Sequence, residues 1–197
     1  MRRMILAGLL ATWVCGAPAF AADFEAGLLA ARVGDFLLAA KEWKPLADAG
    51  DVRAMVHLGD LHDLGQGIAM DNSEAARLFR AAAEAGYPPG QLRYALSLQI
   101  GRGVTRDKGA ALEWLHKAAE QHHAEAIYEV GYAFYAGEGV AADKRQAMKW
   151  FLIADEYGWD AAYSAGRFTA AQLTEGEVLD AVFDAGTWMT EHPRPAP

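Results

Sequence analysis

The sequence repeats itself at intervals of 36 residues, and this period limits the possible folds more than any other feature of the chain. Four series of residues follow it: Asp35, Asp71, Asp107 and Asp143; Gly65, Gly101 and Gly137; Gly67, Gly103 and Gly139; and Gly50, Gly86 and Gly158, with His122 in the remaining place. A fixed period of this length is typical of supersecondary units that stack side by side and share a continuous core. The chain is therefore predicted to be a repeat protein.

Each unit divides into two helices joined by a short loop. In the first complete unit, residues 52–64 carry apolar side chains, such as Leu58 and Leu61, at helical spacing. Gly65 ends this helix, because a left-handed backbone costs glycine nothing sterically. Asp71 is placed to cap the next helix with its carboxylate. The predicted fold class is all-α, an α-solenoid of stacked antiparallel helix pairs.

Capping boxes are predicted at three helix starts, where a Glu or Gln follows the capping residue by three positions. The pairs are Asp71 with Glu74, Asp143 with Gln146, and Thr174 with Glu177. Asp107 has Ala110 at this point, so a one-sided cap is expected there.

The second helix of each unit combines one small position with a large apolar position. The small position is alanine throughout, at Ala82, Ala118 and Ala154. Small side chains let neighbouring helices approach closely. Trp114 and Trp150 occupy the position that Leu78 has in the first unit. This shared register favours core filling over a ligand-binding aromatic box.

The unit resembles the Sel1-like repeat, a relative of the tetratricopeptide repeat. The first unit carries the family's pattern as Ala54, Leu58-Gly59, Gly65-Gln66-Gly67-Ile68, Asp71, Leu78-Phe79 and Ala82-Ala83-Glu84-Ala85-Gly86. The third unit carries it as Ala126, Val130-Gly131, Gly137-Glu138-Gly139-Val140, Asp143, Trp150-Phe151 and Glu156-Tyr157-Gly158. The middle unit departs from it with Gly90 for the alanine and Ala95 for the glycine. The resemblance implies three repeats over residues 51–158.

Flanking segments complete the predicted organisation. Residues 22–50 are expected to form an N-terminal helix pair, residues 159–191 a set of C-terminal capping helices, and residues 192–197 a disordered tail. Residues 1–21 are interpreted as a signal peptide, because Arg2 and Arg3 precede an apolar run and Ala19-Phe20-Ala21 fits a cleavage site. The alternative is a retained membrane helix, but the apolar run of about a dozen residues is too short to span a bilayer.

Cleavage near Ala21 predicts a periplasmic or secreted protein without a membrane anchor. It would also remove Cys15, the only cysteine, so that no disulfide or thiolate metal site is expected. The formal net charge of the whole chain is −8. An acidic surface disfavours nucleic acid and anionic membranes and tolerates basic partners.

Chemistry-bearing residues do not assemble into a site in the sequence. His57 and His62 are five positions apart, about 140° around a helix, and are not placed to chelate one ion. The Gly-x-Gly loops lack the spacing of phosphate-binding motifs. No serine lies in a nucleophile motif, and no pair of carboxylates shares a recognisable site. No catalytic residue, cofactor or metal is predicted.

The resemblance implies a non-catalytic scaffold that binds a protein or peptide along the first helices of its repeats. Exported members of the family resemble either adaptors in envelope signalling or scaffolds for polysaccharide machinery, and the repeat does not distinguish the two. The candidate binding residues are His62, Arg93, Tyr94, Tyr128 and Tyr132. A monomer is expected. The alternative is an envelope hydrolase or a carbohydrate-binding module with exposed aromatic side chains, for which Trp114, Trp150 and Trp159 are the candidates.

Overall fold

The computed structural model describes residues 22–194 and contains ten α-helices in that range. The helices are α1 (Phe24–Arg32), α2 (Phe36–Asp48), α3 (Val52–Leu64), α4 (Asn72–Glu84), α5 (Pro88–Ile100), α6 (Lys108–Glu120), α7 (Ala124–Ala136), α8 (Lys144–Glu156), α9 (Asp160–Ala170) and α10 (Glu175–Glu191). Residues 22–194 contain no strand. The predicted signal peptide, residues 1–21, lies outside the described residues.

Each of the helices α1 to α9 packs mainly against its neighbours in the chain, which confirms the predicted α-solenoid. We call α1, α3, α5, α7 and α9 the A helices, and α2, α4, α6 and α8 the B helices. The contact between the two is close: a Cβ atom added at Gly59 on α3 would lie 2.5 Å from the ring of Phe79 on α4. At Gly131 on α7 it would lie 2.8 Å from the ring of Phe151 on α8. Glycine is therefore needed where these rings cross an A helix.

The aspartate caps are confirmed, but two of the three predicted capping boxes are wrong. Asp71 accepts hydrogen bonds from the first turn of α4. Its own backbone N–H donates to the carbonyl of His62 at 2.9 Å, and Glu74 instead pairs with Arg77 at 2.7 Å. The Asp143 N–H likewise donates to an α7 carbonyl, so both amides are already satisfied within the fold.

Thr174 and Glu177 form the third predicted capping box, which the structure confirms. The Thr174 N–H donates to the Glu177 carboxylate at 2.8 Å, and the Glu177 N–H donates to the Thr174 hydroxyl at 3.3 Å. A turn of only three residues, 171–173, separates Thr174 from α9, and the Thr174 amide finds its acceptor in the side chain of Glu177.

The second glycine of each Gly-x-Gly loop seals one repeat against the previous one. A Cβ atom at Gly103 would lie 1.9 Å from the carbonyl oxygen of Asn72, at the start of α4. At Gly139 it would lie 2.2 Å from the carbonyl oxygen of Lys108, at the start of α6. Both glycines also have positive φ, 71° and 75°. The loops therefore stop a helix and form an inter-repeat contact.

The last helix packs against α8 rather than against α9. Trp188 on α10 meets Trp150 on α8 with ring centroids 5.5 Å apart, and Arg145 pairs with Asp184 at 2.7 Å. Ile153 of α8 is fully buried and belongs to the same core cluster as Trp188. Helix α10 thus covers one side of α8, and much of α9 remains exposed.

Residues 192–194, expected to be part of a disordered tail, contact the folded chain. His192 stacks on Trp188 with centroids 4.4 Å apart, and Arg194 lies over the ring of Tyr157 at 4.1 Å. Residues 195–197 lie outside the described residues. Over residues 22–194, every helix is too short or too polar to cross a membrane.

Candidate protein-binding groove

Four positions recur along one side of each A helix in the three repeats, and we call this row of side chains the A face. In the three repeats it comprises His57, Asp60, Asp63 and Leu64 on α3; Arg93, Leu96, Gln99 and Ile100 on α5; and Glu129, Tyr132, Tyr135 and Ala136 on α7. These positions follow each other at 3, 3 and 1 residues, so they lie on one side of a helix. Because α3 contacts α5 directly, the A helices form the inner side of the stack.

The A face of α3 and α5 forms a cleft of about 570 Å³. All eight of its residues on these two helices line the cleft, and buried rings of the B helices, Trp43 and Phe79, lie at its base. Leu64 and Ile100 are 59% and 64% exposed and line the same cleft. The cleft therefore offers a mainly apolar surface bordered by charged side chains.

Two ion pairs between one repeat and the next neutralise the charges in this cleft. Arg93 pairs with Asp60 at 3.1 Å, and Arg102 pairs with Asp63 at 2.7 Å. Burial raises the pKa of Asp60, while Arg93 acts in the opposite direction. Both pairs are half-exposed and stabilise the fold little by themselves. Their consequence is that the cleft has no uncompensated carboxylate among its lining residues.

His57 is held in the cleft by aromatic contacts. Its ring stacks on Trp43 with centroids 4.8 Å apart and lies 5.5 Å from Phe24. Burial lowers the pKa of His57, and nearby Arg93 and Arg53 lower it further. Among the described residues, no three His, Cys, Asp or Glu side chains are grouped so as to hold a metal ion.

The continuation of the A face on α7 has a different character. Glu129 takes the place of His57 and Arg93, and Tyr132 takes the place of Asp60 and Leu96. Burial raises the pKa of Glu129 to about 7, and the negative charges of Glu125 and Glu138 contribute to this. In residues 22–194, Glu129 has no ion pair, whereas Glu138 pairs with Lys108.

Aromatic side chains surround this part of the groove. Tyr132 is 44% exposed, and Phe168, at the same position one repeat later, is 64% exposed. The rings of Tyr135 and Phe168 lie 6.2 Å apart, and Gln172 donates a hydrogen bond to the Tyr135 hydroxyl at 3.3 Å. The A face therefore passes from an apolar cleft to an aromatic surface with one unpaired carboxylate.

Of the five predicted binding residues, Arg93 and Tyr132 lie on the A face. Tyr128 lies at its edge, where its ring packs on Phe151 and Trp159 at 5.3 and 6.2 Å. Burial raises the pKa of Tyr128, and the charge of Glu129 raises it further. The structure thus brings Tyr128 and Tyr132 together beside Glu129.

The other two predicted residues point toward the B helices. Tyr94 meets Trp114 of α6 edge-on, with centroids 5.8 Å apart. His62 lines a separate cleft of about 310 Å³ together with Lys44 and Glu74. Both are rotated around their helices from the A face, because Tyr94 follows Arg93 by one residue and His62 follows His57 by five.

Sequence reasoning missed Asp60, Leu96 and Glu129. The signal was present in the period, since Asp60 and Leu96 lie 36 residues apart in the series that contains Tyr132, and Glu129 lies 36 residues after Arg93. Extending Arg93 and Tyr132 through the 36-residue period therefore leads to the same A-face positions.

The tryptophans do not form an exposed aromatic platform. Trp150 is 5% exposed, and Trp114 and Trp159 are half-buried. Trp114 is in contact with Tyr94 and with Lys117, whose ammonium lies 3.8 Å from its ring centre. For Trp150, the structure confirms the prediction from the repeat register that this side chain fills the core.

Comparison with known proteins identifies the repeat. The family model of the Sel1 repeat matches residues 52–87, 88–123 and 124–154. A Sel1 repeat protein from Oxalobacter formigenes is similar in structure, with a TM-score of 0.71 and 30% identity over 82% of this chain and 67% of that one. No curated protein gives a significant match to the sequence.

Two further solved structures share the fold at lower identity. The protective antigen c5321 of uropathogenic Escherichia coli has a TM-score of 0.60 and 23% identity, over 86% of this chain and 45% of that one. The cysteine-rich protein B of Helicobacter pylori has a TM-score of 0.53 and 20% identity, over 67% of this chain and 96% of that one. This chain therefore spans about two thirds of the first relative and less than half of the second.

Proposed function

The chain belongs to the Sel1 repeat family, whose repeats generally mediate protein interactions, and from this premise we propose that it is a non-catalytic scaffold that holds an extended segment of another protein along its A face. Extended grooves of stacked helix pairs suit such segments, because side chains of the bound segment meet successive repeats in turn.

The cleft between α3 and α5 is the observation that carries this proposal. Its volume of about 570 Å³ accommodates several side chains, and Leu64 and Ile100 expose apolar surface on it. The ion pairs Arg93–Asp60 and Arg102–Asp63 neutralise its charged walls, so an apolar side chain entering the cleft leaves no charge unpaired.

We place this scaffold in the periplasm or outside the cell, with a partner in an envelope process such as signalling. The support is the signal-like segment of residues 1–21 in the sequence. Cell fractionation with mass measurement of the purified protein tests it. The expected result is a chain that begins at Ala22 in the periplasm or medium, and an unprocessed chain in the cytoplasm would contradict it.

Site-specific photo-crosslinking in the producing cells tests the groove itself. A photoreactive residue at Leu96 lies within the cleft, whereas one at Arg80 lies on the exposed side of α4 and serves as the control. We expect a discrete crosslinked protein from position 96 and none from position 80. Equal crosslinking at both positions, or none at position 96, would refute the proposed binding face.

A further inference from the structure

The two halves of the A face differ in how their carboxylates are compensated. On α3, Asp60 and Asp63 each have an arginine partner from the following repeat. On α7, Glu129 has no ion pair among residues 22–194, and Arg93, at the same position one repeat earlier, pairs with Asp60. The protein itself thus supplies the positive charges that pair with the carboxylates of α3. It supplies none to Glu129 of α7 among residues 22–194.

The surroundings of Glu129 fit an organic cation better than a metal ion. The described residues contain no group of three or more metal-binding side chains, and a single carboxylate does not hold a divalent cation well. Tyr132 and Phe168, which present exposed rings on the same face, suit the flat or methylene-bearing side chains of arginine and lysine.

From this arrangement we infer that the bound protein segment places a lysine or arginine against Glu129, beside the ring of Tyr132, while its apolar side chains fill the cleft between α3 and α5. This inference rests on the proposed function. It adds the chemical character of the bound segment. It also states the order of that segment along the groove, with the apolar side chains at α3 and α5 and the basic side chain at α7. The net charge of −8 favours the approach of such a segment.

The burial of Glu129 and the packing of its neighbour Tyr128 support the inference. The carboxyl is half-buried, so water solvates its charge incompletely, and its pKa of about 7 reflects this burial. An ion pair with a cation in such a place is stronger than one on an open surface. Tyr128 packs against Phe151 and Trp159, which holds that wall of the site in place.

Selection of peptides from a displayed random library of 12-residue sequences tests the inference. The targets are the purified wild type, Glu129→Gln, and the control Glu113→Gln, which changes an exposed carboxylate on α6 away from the A face. With the wild type and the control we expect peptides that share one basic position next to apolar ones. With Glu129→Gln we expect peptides without this basic position.

A double-mutant cycle on the best peptide gives the size of the effect. We expect Glu129→Gln to weaken its binding about tenfold, and replacement of the basic residue by norleucine to weaken it by a similar factor, with no further loss when both changes are combined. Titration of Glu129 by NMR should show its pKa falling when the peptide binds, which a purely structural role would not produce.

The outcomes separate the inference from the function on which it rests. Apolar peptides selected without a basic position, or a basic position that persists with Glu129→Gln, would overturn the inference and leave the groove intact as a binding site. Two results would overturn the proposed function and the inference with it. One is a peptide that binds equally well after a groove substitution such as Leu96→Glu, and the other is the selection of no peptide at all.

Discussion

Gly139→Ala should destabilise the protein far more than Gly158→Ala, although both glycines have nearly the same backbone conformation. Their φ angles are 75° and 82°. An L-amino acid in this region costs about 1–2 kcal/mol at either position. A Cβ atom at Gly158 meets no atom within 4 Å, but at Gly139 it would lie 2.2 Å from the carbonyl oxygen of Lys108.

The steric term decides the size of the difference. Its nearest neighbours at Gly139 are backbone atoms of Lys108 and Gly109, so no side chain can rotate away. Overpacking of this kind costs about 1–3 kcal/mol. We therefore expect Gly139→Ala to lower the free energy of unfolding by about 2–5 kcal/mol in total, the sum of the overpacking and the backbone strain. Gly158→Ala should show the backbone part alone.

Thermal unfolding followed by circular dichroism at 222 nm measures the difference. At about 2–4 °C per kcal/mol for a protein of this size, the two variants should melt roughly 2–12 °C apart. Equal melting temperatures would show that the loop is free to move off the start of α6, and would refute the inter-repeat seal at Gly139.

Glu129→Gln should raise the melting temperature at pH 8 and leave it nearly unchanged at pH 4, below the ordinary pKa of a glutamate. The pKa of about 7 in the folded protein exceeds the ordinary value of 4.5, so the folded state binds the proton more tightly and wild-type stability falls as pH rises through this window. An equal gain at both pH values would contradict this. Thr174→Ala removes the capping box of α10 and should lower the free energy of unfolding by about 1 kcal/mol, measured as a lower urea midpoint. Trp188→Ala should cost about 3–5 kcal/mol and speed hydrogen exchange in α10, because it removes the contact with Trp150; unchanged exchange would show that α10 is held by other contacts.

Local chemistry made much of the fold predictable. Gly65, Gly101 and Gly137 end their helices at positive φ, and this requirement is a property of a single residue. The capping carboxylate of Asp71 acts on amides two and three positions away, which the sequence also contains. Helix bounds in the repeats therefore follow from short segments read alone.

Features that depend on distant partners were not predictable in the same way. The capping box at Asp71 fails because its amide is satisfied by His62, a residue in the preceding helix. The placement of α10 on α8 depends on Trp150 and Trp188, which lie 38 positions apart in the sequence. Neither outcome has a local signal.

The predicted binding residues share the A face only in part, for a related reason. The sequence shows which residues repeat, but the rotation of an A helix is set by how it packs on two B helices at once. Arg93 and Tyr132 lie on the A face, whereas Tyr94, the neighbour of Arg93, turns toward Trp114.

The loops between paired helices are tied down at both ends, and this has a consequence for how the protein changes over evolutionary time. In the second repeat, Asp107 donates its amide to the Leu98 carbonyl while Gly103 lies against Asn72, so the three residues between them, 104–106, start and end at fixed points and cannot be shortened without breaking these contacts. An insertion there would bulge outward from two fixed ends and leave the stacked helices where they are. New specificities are therefore expected to arise from such outward insertions or from exchange of single side chains such as Glu129 and Tyr132, with the helix stack left unchanged.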